Sequence, residues 1–163
     1  MANDMSDIRS TLNDLNETCK DSQEGFHNAA EKLKDPEVHG LFLRFYLQRA
    51  EFAGELQAEV TRIGGEPATS GSNAAAIHRG WIDLKTALAS DTDHAILAEA
   101  ERGEEAALKN YILALRKDLP SDLQSIVSRQ HREIQRTHHV IWELKNKHNF
   151  TPDKTIAPMA GLV

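Results

Sequence analysis

The chain has 163 residues, one cysteine and a formal net charge of −6 with both signs interspersed. That length suits one domain able to bury its own core, and the charge argues against a nucleic-acid surface. One cysteine, Cys19, excludes an internal disulfide. With no apolar leader in "MANDMSDIRS" and no long apolar run, the expectation is a cytoplasmic protein without a membrane span.

Ser6 or Asp7 is the expected cap of a first helix, whose apolar seam runs Ile8, Leu12, Leu15, Cys19, Phe26, Ala30, Leu33. Asp35-Pro36 then supplies an N-cap and an N1 proline for a second helix. Its seam is Val38, Phe42, Phe45, Phe52, Leu56, Val60, Ile63, and Gly64-Gly65 ends it. "EPATSGSN" is a loop by composition, and "AAAIHRGWIDLKTAL" reads as a shorter helix with Ile77, Trp81, Leu84 and Leu88 on one side. Another long helix is predicted from Asp93 to Lys117. The last starts in "DLPSDLQ", where Ser121 and Gln124 have capping-box spacing, and its seam is Leu123, Val127, Ile134, Ile141, Leu144.

No stretch alternates like a strand. Each long helix holds about 25 to 30 residues, or roughly 40 Å at 1.5 Å per residue. Short turns join the first pair and the last pair, and a long connection with its own short helix joins the two pairs. An all-α, ferritin-like four-helix bundle with one long crossover is the expected fold. The bundle takes residues 1–149 and leaves 150–163 as a proline-containing tail. Ile156, Met159, Leu162 and Val163 in that tail can dock on the chain's own assembly or on a separate protein partner.

Polar residues on the apolar seams are the candidates for function. At about 100° per residue, Glu104 points within about 20° of both Leu97 and Tyr111. Glu101 sits at the seam's edge, and Glu99 and Glu105 are read as pointing to solvent. A buried carboxylate needs a metal, a cation or a proton. Arg49 near the second seam can supply the cation. Glu55 beside Phe52 and His138 at the edge of the last stripe are the other candidate ligands. Gln130 and Gln23 read as polar core residues, Cys19 as an inert buried thiol, and His27, His39, His78 and His94 as surface.

Together, "DSQEGFHNAAEKLKDPEV", "AEFAGELQAEV" and "ERGEEAALKNYILAL" resemble a bacterial four-helix-bundle family, labelled a domain of unknown function, in the ferritin-like superfamily. The resemblance covers residues 6–148 and implies rubrerythrin and bacterioferritin as distant relatives. The superfamily's di-iron site takes a Glu from each of two helices and a Glu-x-x-His from each of the others. Here Glu101-Arg102-Gly103-Glu104 resembles the Glu-x-x-Glu of some rubrerythrins. Glu51 and Glu55, however, are followed three residues on by Gly54 and Ala58, and Gln135 stands where a carboxylate should precede His138. A full di-iron centre is therefore not expected.

Two readings follow, and whether the protein is an enzyme stays open between them. One is a non-catalytic, stress-associated scaffold or interaction module that dimerises through the surplus apolar face of the second helix (Leu41, Leu43, Tyr46, Leu47). The other is a metal-binding, oxidoreductase-like protein holding iron or manganese with Glu55, Glu101, Glu104 and His138.

Overall fold

Asp4, not Ser6 or Asp7, starts the first helix: its carboxylate accepts from the Ser6 N–H at 3.3 Å. The computed structural model describes residues 4–69, 81, 83–90 and 92–149. Among them are five helices and no strand: α1 (Met5–Lys32), α2 (Pro36–Arg62), α3 (Leu84–Ala89), α4 (Asp93–Leu115) and α5 (Ser121–Asn149). Ile77, His78 and the tail from residue 150 lie outside the described residues.

The predicted stops act as expected where the chemistry is local. Asp35 caps α2 by accepting from Glu37 N at 2.9 Å and Val38 N at 3.4 Å, with Pro36 at the first helical position. Gly64 ends α2 with φ +80, a backbone shape that disfavours a side chain. The start of α5 differs. Ser121 is already helical and the Pro120 carbonyl accepts from Gln124 N at 2.8 Å, so the cap falls one residue earlier than the Ser121/Gln124 spacing suggests.

Cross-links between helices give the topology. Lys117, just past the end of α4, reaches Asp7 at the start of α1, while Asp93 at the start of α4 accepts from Lys34 N and Asp35 N, both at 2.9 Å. Arg62 at the end of α2 pairs with Asp122 at the start of α5. Hence α1 runs antiparallel to both α2 and α4, and α5 runs antiparallel to α4 and α2. The described residues of the connection from α2 to α4 lie along α1. Gly64 O accepts from Arg9, Glu66 O from Asn13, and Ala68 O from Asn16 and Lys20; Trp81 then lies against Gly25.

The apolar seams close into two core clusters. One gathers Leu12, Leu15, Cys19, Phe52, Leu56, Tyr111, Leu123 and Val127; the other gathers Phe26, Phe42, Trp81, Ile96, Leu97 and Ile141. Along α2 and α4 the level between them is held by Arg49 and Glu104. Trp81 plugs the side of the second cluster, edge-on to Phe26 with ring centroids 5.1 Å apart. Its strap is fastened to α4: Glu99 accepts from Asp83 N at 3.0 Å, and Arg102 donates to the Asp83 carboxylate at 2.7 Å. Glu99 is consequently buried at 3 % exposure, which corrects the expectation that it points to solvent. Burial raises its carboxyl above the ordinary value, opposed by the Asp83 N–H and Arg102.

Candidate functional site

Glu104 is fully buried, as its place on the seam predicts, and a cation holds it. Arg49 reaches diagonally across the core from α2 and meets both carboxylate oxygens, at 2.6 Å and 2.5 Å, in a bidentate fork. Both side chains are 0 % exposed. The third guanidinium nitrogen is also engaged: Nε donates to Gln48 Oε1 at 3.3 Å, and the cation stands 5.4 Å from the Phe26 ring centroid. Desolvation alone would lower the Arg49 pKa; the Glu104 charge and hydrogen bonds outweigh it, and the net shift is upward.

A second polar chain lies beside this pair and crosses all four long helices. The Tyr111 hydroxyl donates to Gln130 Oε1 at 2.7 Å, and the Cys19 sulfur lies 3.1 Å from the same hydroxyl. Because Tyr111 has one proton and gives it to Gln130, the Cys19 thiol is the donor in the other contact. Gln130 Nε2 donates to Phe52 O and to Glu55 Oε1, both at 3.4 Å, and Arg129 pairs with the second Glu55 oxygen. This accounts for the glutamine on the seam of α5. Gln23 on α1 is only half-buried, and the fully covered polar residues of that helix are Thr11, Asn16 and Ser22.

Burial pushes the Cys19 thiol from the ordinary 9.0 up to about 11. Burial likewise raises Tyr111 well above its usual value. A thiol in this state is a poor nucleophile. A folded-state pKa above the unfolded one contributes stability that is complete below pH 9.0 and lost as pH rises towards about 11. The melting temperature is expected to fall across that window, and to fall less steeply in Cys19→Ala. Equal slopes in the two proteins would place the alkaline loss elsewhere.

The remaining predicted residues meet at the outer seam between α4 and α5. His138 Nε2 lies 3.9 Å from Glu101 Oε1 and 3.5 Å from Glu105 Oε1, and Lys145 pairs with the other Glu101 oxygen. Of the four candidate ligands, Glu55, Glu101, Glu104 and His138, the structure thus brings only Glu101 and His138 together. Glu55 and Glu104 face arginines instead. Glu105, read as solvent-facing, has an exposed side chain whose carboxylate nevertheless reaches His138. Among the histidines read as surface, His39 is half-buried and bonded to Ala30 O at 2.6 Å, and His94 Nε2 is buried.

A family described as "Domain of unknown function (DUF2383)" matches residues 7–117. The chain belongs to this family. The DUF2383 match takes in α1 to α4, and with them Cys19, Arg49, Glu104 and Tyr111; α5, with Gln130 and His138, lies beyond it. Comparison with curated proteins gives no match. Among the described residues, no helix is long and apolar enough to cross a membrane.

Proposed function

We propose that the chain is a ferritin-like bundle that works as a non-catalytic scaffold or interaction module. Support for the ferritin-like part comes from the antiparallel packing of neighbouring long helices, with one long connection in the sequence between the two helix pairs. The observation that carries the non-catalytic part is Arg49. A di-metal centre in such a core needs inward carboxylates free to bridge cations, and here both oxygens of the one fully buried central glutamate are committed to a guanidinium. Glu55, the next carboxylate towards the core, is committed to Arg129 and Gln130. A fixed, internally neutralised core supplies rigidity rather than an open coordination position.

What such a module offers outward is its surface. Leu43 and Leu47 on α2 are 37 % and 62 % exposed, a face that suits self-association. Ferrous iron added anaerobically and then exposed to air should load fewer than two ions per chain, with oxidation no faster than in protein-free buffer. Sedimentation should find dimers, and monomers for Leu47→Asp. Two irons per chain with rapid oxidation would sink the non-catalytic reading, and a monomeric parent would sink the dimer.

A further inference from the structure

The seam between α4 and α5 holds a cluster that neither the core network nor the scaffold reading uses. Glu101 and Glu105 are one turn apart on α4, and His138 faces them from α5. One donor atom from each lies within 4.8 Å of the others. We propose that Glu101, Glu105 and His138 bind a single divalent transition-metal ion, with zinc(II) the best chemical match.

The spacing is the first reason. At 3.5 Å and 3.9 Å, the His138 nitrogen is too far from either carboxylate oxygen for a good hydrogen bond. Zinc bonds to imidazole and carboxylate are near 2.0–2.1 Å, so a tetrahedral ion sets its ligand atoms about 3.4 Å apart. The His138 nitrogen stands close to that separation from both carboxylate oxygens already, and with all three donors within 4.8 Å of one another, side-chain movements can complete it.

The state of the imidazole is the second reason. His138 Nε2 is shielded from solvent and has no hydrogen-bond partner, although it faces two carboxylates. A buried ring nitrogen left unpaired is costly. A metal ion satisfies it, provided that nitrogen carries no proton.

Lys145 completes the arrangement rather than blocking it. Its ammonium holds Glu101 Oε2, whereas the oxygen nearest His138 is Oε1. Glu101 can therefore bind through Oε1 while Lys145 fixes the carboxylate's orientation from behind. The Glu105 side chain is 59 % exposed, so the fourth position opens to water. Two carboxylates and one imidazole suit zinc, iron or manganese, and three protein ligands beside one open position is the arrangement zinc takes in its open sites. This site is separate from the core: Glu104 projects from α4 towards Arg49, whereas Glu101 and Glu105 project towards α5.

The test is a cobalt(II) titration of the full chain after chelator treatment, read by visible absorption. One equivalent should develop the intense bands of four-coordinate cobalt, and zinc(II) should abolish them by displacement. Glu105→Gln, at an exposed position that leaves the fold intact, and His138→Gln should both lose the bands. His139→Gln should keep them; His139 and Glu143, exposed and 3.1 Å apart on one turn of α5, are the nearby pair able to capture metal adventitiously. No bands in the parent, bands surviving in Glu105→Gln, or bands lost in His139→Gln would each overturn the proposal. None of these outcomes bears on the core ion pair, so the scaffold reading stands or falls separately, on the iron and sedimentation results.

Discussion

Arg49→Leu is expected to destabilise the fold by about 3–5 kcal/mol, because it strands the fully buried Glu104 charge without the guanidinium that holds it. Glu104→Leu should cost a comparable amount from the other side, because the guanidinium then sits uncompensated between two apolar clusters. Replacing both residues by leucine removes both charges and their desolvation together, so the double variant should recover most of either loss. Urea melts of the four proteins close the thermodynamic cycle. A coupling below about 0.5 kcal/mol would mean that the two side chains act independently, and the buried fork would be wrong. The same cycle probes function. If the core is built for rigidity, the double-leucine protein should keep the parent's oligomeric state while its core holds no charge.

The inward position of Glu104 was legible from helical period alone, since Leu97, Ala107 and Tyr111 share its face and are all buried. Its partner was legible only as a candidate. Arg49 near the right face of α2 could supply the cation, as it does, but a diagonal contact depends on how far α2 and α4 slide past each other. The helical wheel failed at Glu99, and at Glu105, exposed as read, it left out the reach of the carboxylate. It gives the direction of a Cβ, not what lies over it or how far a long side chain reaches. Glu99 points away from the four-helix core as read, and is buried because the strap carrying Trp81 and Asp83 lies over it. Glu105 starts outward and its carboxylate turns back to His138. Caps were legible where one residue decides them, as at Asp35. They slipped by a turn or a residue at Asp4 and Pro120, where several polar residues compete for the same role. The core seams, by contrast, rest on many side chains at once, and the seam from Ile8 through α1 to its C-cap Leu33 is buried as read.

The strap also yields the second large effect, and it inverts an ordinary rule. Alanine in place of a glycine inside a helix normally stabilises by about 1 kcal/mol. Gly103 is such a glycine, in the middle of α4, yet a Cβ there would stand 2.5 Å from Trp81 Cε2 and Nε1. Atoms of that kind do not approach so closely, so the ring must move. It has nowhere to go, because a Cβ at Gly25 on the opposite helix would stand 2.5 Å from Trp81 Cδ2. The two glycines form a slot one indole thick between α1 and α4. Gly103→Ala is therefore expected to destabilise by about 1–3 kcal/mol through overpacking. It should also shift Trp81 emission to the red in a Trp142→Phe background, which silences the exposed indole. Trp81→Ala alone should cost about 3–5 kcal/mol. The decisive comparison combines them. With the indole gone, alanine at 103 meets no clash and recovers its helical advantage, so Gly103→Ala should change sign and stabilise the Trp81→Ala protein. If it stabilises both backgrounds alike, Trp81 does not occupy the slot, and Glu99 would lose the cover that accounts for its burial.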